Sequence, residues 1–312
     1  MKYYLTFILF ILFNVACHAQ ERLPFDGIDY PFNVQYADLQ NGQTIAYHDT
    51  GSGDDTLVLI HGLGSYMPAW SMNIDALSES HRVIALDLPG YGKSTKTAER
   101  FSIPFFAESV IMLMNELEIN AASIIGHSMG GQIALYIAAQ HPGRVAGLVL
   151  SAPAGFEQFT EQDKMAFGAT VSPEAIAMTP EPMIRRNMLA TFHSFPSEAE
   201  FMIKDRLQMK DEPGFDNYAR AQAESIFAML NDPVWEMMPD ITQPALVVFG
   251  GQDALIPNPY LHPDLTTQDV AQDGTERLPN ATLKIIDEAG HFVHFEKADV
   301  FNETVLEFLN QN

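Results

Sequence analysis

The chain reads as an α/β protein: a mostly parallel eight-stranded sheet flanked by helices, with an inserted helical cap. Three observations predict this. Short apolar runs such as residues 56–60 and 82–86 alternate with helical periodicity, the pattern of strands covered on both faces. The alternation stops over residues 154–240, where only helical periodicity is found, and resumes at 244–249. In between, Ile124-Ile125-Gly126-His127-Ser128-Met129-Gly130-Gly131 joins a β-branched run to a helix-like one through a serine set between glycines.

In chain order, residues 33–39 and 43–49 are strand-like and are joined through Asn41-Gly42, a strong hairpin signal. Residues 56–60 form the first fully covered strand, which ends in His61-Gly62-Leu63-Gly64. Residues 68–79 read as a helix, 82–86 as a strand, and 105–117 as a helix with Phe106, Val110, Leu113, Met114 and Leu117 on one face. The serine turn, its helix and a strand at 145–150 follow; strands at 244–249 and 282–286 and a helix at 297–309 complete the order. The organisation expected is a core in two parts, 20–153 and 241–312, with the cap at 154–240 lying over the carboxyl ends of the strands. Ser197 with Glu200 gives a capping-box signature for one cap helix. Nine of the 15 methionines fall in the cap, where they serve as core filling or as an adaptable lid lining. Residues 258–279 are longer than an ordinary connection.

Residues 1–19 differ from the rest. Lys2 is their only charged side chain, and residues 3–16 are nearly all apolar, a run shorter than the roughly 20 residues of a membrane span. They read as a signal peptide with Cys17-His18-Ala19 as its cleavage site, giving an exported protein, periplasmic or extracellular, with no integral span after processing. The alternative is a lipid anchor on Cys17, the only cysteine. A formal charge of −23 repels nucleic acid, and no basic patch or internal repeat stands out.

The serine turn carries the chemistry. At the tip of a strand-turn-helix the side chain is lifted clear of the sheet, and the flanking glycines permit the tight crossing. Ser128 is therefore the candidate nucleophile, and it needs a base with an orienting acid. His291, after the last strand, is the candidate base, and Asp253, after the strand before it, the candidate acid. An oxyanion hole requires two backbone N–H donors, which Met129 and Leu63 can supply. His127 is expected to pack beside the nucleophile, and His294 to pack on the sheet. Gly92-Lys93-Ser94 ends like a phosphate-binding loop, but Asp87 stands where its first glycine is required. No cofactor or metal is implied.

The order Ser128, Asp253, His291, with His61-Gly62-Leu63-Gly64 and Asp87-Leu88-Pro89-Gly90-Tyr91-Gly92-Lys93-Ser94 upstream, resembles the α/β-hydrolase fold superfamily over about residues 33–310, the cap excepted. The resemblance implies a serine hydrolase acting on small carboxylic esters, and a methionine-lined lid would suit an apolar acyl or aromatic part. Serine argues against epoxide hydrolases and haloalkane dehalogenases, and Met129 against proline iminopeptidases. The meta-cleavage carbon–carbon hydrolases share the Ser-Met-Gly-Gly turn but commonly carry tryptophan where Phe292 stands. Ser151-Ala152-Pro153-Ala154-Gly155-Phe156 is similar to monoacylglycerol-lipase-like members. Carbon–carbon hydrolysis, acyl transfer, and a ligand-binding protein with little turnover remain the alternatives.

Overall fold

In a computed structural model, Phe25 and residues 27–311 are described; the expected leader at 1–19, with Cys17, lies outside them. Eight strands form one sheet: β1 (Gln35–Asp38), β2 (Thr44–Thr50), β3 (Thr56–Ile60), β4 (Arg82–Leu86), β5 (Ala122–His127), β6 (Val145–Ser151), β7 (Ala245–Gly250) and β8 (Ala281–Ile286). Their order is β1-β2-β4-β3-β5-β6-β7-β8. The β1–β2 and β2–β4 pairs are antiparallel, and all the others are parallel. The hairpin between β1 and β2 turns at Asn41-Gly42, where Gly42 takes φ 80°.

Alternation along the central strands sends residues to two separate cores. Val58 and Ile60 of β3, Ile124 of β5 and Val247 and Phe249 of β7 face one side. Leu57, Leu59, Ile125, Leu246 and Val248 face the other. Each such side chain, removed fully from water, contributes about 1.5–3 kcal/mol. Both faces being covered explains why these strands are apolar without a break.

The helices of the core are α1 (Ile74–Ser78), α2 (Ile103–Glu116) and α3 (Met129–Gln140). Ser102 caps α2 by accepting from the Phe105 N–H, and Pro104 sits in its first turn, which is why the helix starts two residues earlier than its periodicity suggested. The helix expected at 68–79 is instead a 3₁₀ turn (Met67–Trp70) followed by the short α1.

Between β6 and β7 the chain forms α4 (Glu161–Gly168), α5 (Pro173–Ala177), α6 (Glu181–Leu189), α7 (Glu200–Met209) and α8 (Phe215–Asn231). The capping box read at Ser197 and Glu200 does not form. Ser197 lies in a 3₁₀ turn ahead of α7, its hydroxyl bonds Glu198, and Glu200 pairs with Arg185 of α6 at 2.8 Å. Boxes do form at Thr160–Asp163 and at Thr266–Asp269. The latter starts α9 (Thr267–Glu276), the helix that accounts for much of the long connection at 258–279. The chain ends with α10 (Val293–Glu296) and α11 (Ala298–Leu309).

Candidate active site

Ser128 sits between β5 and α3 at φ 53° and ψ −117°, a conformation that costs of order 1–3 kcal/mol and persists only where its surroundings impose it. They do so through hydrogen bonds. The Ser128 N–H donates to Ser151 O at 2.9 Å, and its carbonyl accepts from Gly131 and Ala154, both at 2.9 Å. The crossing is too close for side chains at the neighbouring glycines. A Cβ on Gly126 would stand 2.3 Å from Gly130 O, and one on Gly130 would stand 2.3 Å from Ile60 O.

Asp253 follows β7 and is buried. Its Oδ1 accepts from the Leu255 and Ile256 N–H groups at 2.8 and 3.1 Å, which leaves Oδ2 aimed at His291 Nδ1, 2.8 Å away. A proton on Nδ1 leaves Nε2 unprotonated and able to act as a base. His291 follows β8 in a loop tied to the insertion. Glu296 accepts from the N–H groups of Gly290, His193 and Ser194, at 2.8, 3.0 and 2.6 Å, and Phe292 N donates to Thr191 O at 3.2 Å. Ser128 and His291 open onto one cavity but are not hydrogen-bonded to each other in this arrangement. Such contacts commonly tighten only when substrate is held.

The loop after β3 lies against Ser128. A Cβ on Gly62 would come 3.1 Å from Ser128 Cβ and 2.8 Å from His127 Nδ1. His61 holds this loop: its Nδ1 is 2.8 Å from Gly62 O, and its Nε2 accepts from Leu88 N at 3.0 Å. Burial lowers its pKa, in keeping with the neutral ring those two bonds require. Leu63 borders the cavity, and Met129 is the first residue of α3, where helix N–H groups lack intrahelical acceptors.

Two more histidines lie behind the base. His127 Nε2 is 3.1 Å from the His291 carbonyl oxygen, to which its N–H donates. Burial, reinforced by His294 and His291, holds its pKa well below the usual value. His294 packs on Trp70, with ring centres 4.2 Å apart, and its Nδ1 is 3.3 Å from Ser151 Oγ. Burial first, and His291 second, push its pKa down to about 3. Both rings are neutral supports.

The segment that ends like a phosphate-binding loop is used as a brace. The Asp87 carboxylate accepts from Met67 N, Tyr30 Oη and Lys93 N, at 2.6, 2.7 and 2.7 Å. The buried Lys96 Nζ donates to the carbonyls of Tyr91, Gly92 and Ser94.

The cavity onto which Ser128 and His291 open holds about 350 Å³ and is also lined by Phe159, Phe167, Ile226, Met229 and Leu230 from the segment between β6 and β7. A neighbouring cavity of about 250 Å³ shares Leu63, Thr191 and Phe292 with it. Met188, Met202 and Met209 line that second space, whereas Met165 and Met178 are exposed, so the methionines between β6 and β7 divide between lining and surface. Arg206 also lines it, with its guanidinium 4.8 Å over the Tyr218 ring and donating to Gly64 O and Gln222 Oε1. Sequence reasoning missed Arg206 and Glu296, because each holds backbone groups distant in the chain, Gly64 O and the His193 and Ser194 N–H groups; it placed His61 in its motif without the role of holding the loop.

A family model described as alpha/beta hydrolase fold matches residues 55–230. The dihydrolipoyllysine-residue acetyltransferase component of the acetoin cleaving system of Pseudomonas putida is 35% identical over 264 residues, covering 84% of this chain but only 65% of that one. A 2-hydroxy-6-oxononadienedioate/2-hydroxy-6-oxononatrienedioate hydrolase of Paraburkholderia phymatum is 30% identical over 301 residues, covering 89% of this chain and 96% of the relative. The crystal structure of a probable hydrolytic enzyme from Pseudomonas aeruginosa PAO1 superposes with a TM-score of 0.81 at 27% identity, covering 91% of this chain and 96% of that one.

Proposed function

Since the chain belongs to the alpha/beta hydrolase fold family, we propose that it hydrolyses carboxylic esters through an acyl-enzyme on Ser128. The observation that carries this reading is the 2.8 Å contact of Asp253 with His291, on a cavity whose wall also presents Ser128 from a strained turn. In the first step Ser128 Oγ attacks the ester carbonyl carbon while His291 Nε2 takes its proton. Asp253 keeps the proton on Nδ1 and offsets the imidazolium charge. The N–H groups of Leu63 and Met129 receive the oxyanion. His291 then protonates the leaving alkoxide, and the C–O bond breaks. Water, deprotonated by the same imidazole, attacks the acyl-enzyme and releases the acid and the free serine. The cavity's aromatic and aliphatic walls suit an apolar acyl or aromatic part.

Turnover of a short p-nitrophenyl ester tests this. Ser128→Ala is expected to abolish it with the fold intact; retained turnover contradicts the proposal.

The likeness to the Paraburkholderia phymatum hydrolase favours a second reading, carbon–carbon bond hydrolysis of a vinylogous diketone at the same serine. Faster turnover of such a diketone than of any ester in a chain-length series would favour it. We propose further that residues 1–19 direct export, with cleavage after Ala19. A mature N-terminus at Gln20 supports this, and an acylated Cys17 overturns it.

A further inference from the structure

The loop after β6 and the segment after β7 meet at a carboxyl group that the catalytic steps do not use. Glu157 is 7% exposed and lies on the wall of the cavity that holds Ser128 and His291. Among the described residues of that wall, it is the one ionisable group besides His127 and His291. Burying a carboxyl group is costly unless hydrogen bonds replace its water. Asn258 N donates to Oε1 at 2.8 Å, and His262 Nδ1 lies 2.5 Å from the same oxygen. His262 is itself held: its ring centre is 5.3 Å from that of Phe159, and its Nε2 is 3.7 Å from Asp163 Oδ2.

Both donors take Oε1. The other oxygen, Oε2, receives no hydrogen bond from a described residue, and it is not sealed in the protein interior. The side chain is thus fixed at one oxygen and leaves the other without a donor among the described residues, on the wall of a cavity to which Phe159, Phe167, Leu255 and Ile256 also contribute. An unpaired carboxylate oxygen on a largely apolar wall discriminates strongly, because a ligand without a matching donor leaves it desolvated and unpaired.

We propose that Glu157 determines specificity: Oε2 accepts a hydrogen bond from a hydroxyl or ammonium group on the acyl chain, selecting donor-bearing esters over plain hydrocarbon ones. This rests on the ester-hydrolase reading above. A hydrogen bond to a charged acceptor corresponds to a preference of roughly tenfold to a hundredfold.

The test compares kcat/KM for p-nitrophenyl hexanoate, 6-hydroxyhexanoate and 6-aminohexanoate in the wild type and in Glu157→Gln. The amide can keep the bonds at Oε1 but puts an NH₂ donor where Oε2 was. The wild type is expected to prefer at least one donor-bearing ester by about tenfold or more. In Glu157→Gln that preference falls, the ammonium arm by more than the hydroxyl arm; the wild-type ratios tell which group is the better fit. A parallel calorimetric titration of Ser128→Ala with hexanamide, 6-hydroxyhexanamide and 6-aminohexanamide needs no turnover. The same order of affinity is expected there, and its loss in Ser128→Ala/Glu157→Gln. Binding preference without turnover of any ester overturns the ester reading and leaves the Glu157 site standing. Equal affinity for the three amides, or ratios unchanged by Glu157→Gln with only the melting temperature lowered, overturns the site and makes Glu157 a structural tie.

Discussion

At the strand ends, Gly126 and Gly130 each have a backbone oxygen 2.3 Å from where a Cβ would stand, whereas α6 and α7 of the insertion are joined by long side chains, Arg185 to Glu200 at 2.8 Å. The nucleophile's floor is therefore held by backbone geometry, in which one added carbon has no place to go. The roof, formed by the insertion, is linked at its surface by side chains that water also reaches, while its last helix, α8, packs into the core through Tyr218, Ala221 and Ala228. Floor and roof are tied by hydrogen bonds, among them Glu296 to His193 and Ser194, Arg206 to Gly64 and Tyr91 to Ser225.

The largest expected effect falls on the floor. Asp253→Asn removes the acceptor that fixes the His291 tautomer, and kcat for an ester should fall by about 10⁴-fold with KM little changed. A loss under tenfold would mean that another group orients the base. Next is Gly130→Ala, whose methyl collides with Ile60 O; it should cost about 1–3 kcal/mol or more in urea unfolding and lower activity with it. Gly143→Ala, with nothing within 4 Å of its Cβ, should leave both unchanged. Equal effects of the two substitutions would erase the distinction drawn here.

Acid sharpens the comparison further. His294, held at about 3, and His127, also lowered, stay neutral in the folded chain while the unfolded chain gains protons near pH 6.5. Their stabilising contribution is present above pH 6.5 and is lost as pH falls from there toward 3. Replacing His294 by Asn should flatten the decline in unfolding free energy between pH 6.5 and 5 by up to about 1.4 kcal/mol per pH unit. An unchanged slope would show that His294 does not carry it. The smallest effect is on the roof: Glu200→Ala breaks an exposed ion pair and should move the melting temperature by no more than about 2 °C.

These differences also explain what was legible in the sequence. The strand, serine turn and helix at 122–140 could be read because glycine spacing and apolar periodicity are local signals. Asp253 and His291 could be placed because each follows an apolar run that ends at the same edge of the sheet. Glu157 and His262 could not: they lie 105 residues apart, and neither stands in a recognisable pattern. The same holds for Arg206, whose partner Gly64 is 142 residues away. The helix at 267–276 was within reach, since Thr266 and Asp269 spell its cap, whereas the similar spacing at Ser197 and Glu200 misleads because Pro196 opens a 3₁₀ turn there.

The most direct measurement is covalent labelling of the full chain with a fluorophosphonate, followed by peptide mapping. One adduct on Ser128 is expected, absent from Ser128→Ala and formed far more slowly in Asp253→Asn. A folded protein that takes no label at Ser128, or takes it equally in Ser128→Ala, would contradict a nucleophile raised on the β5–α3 turn.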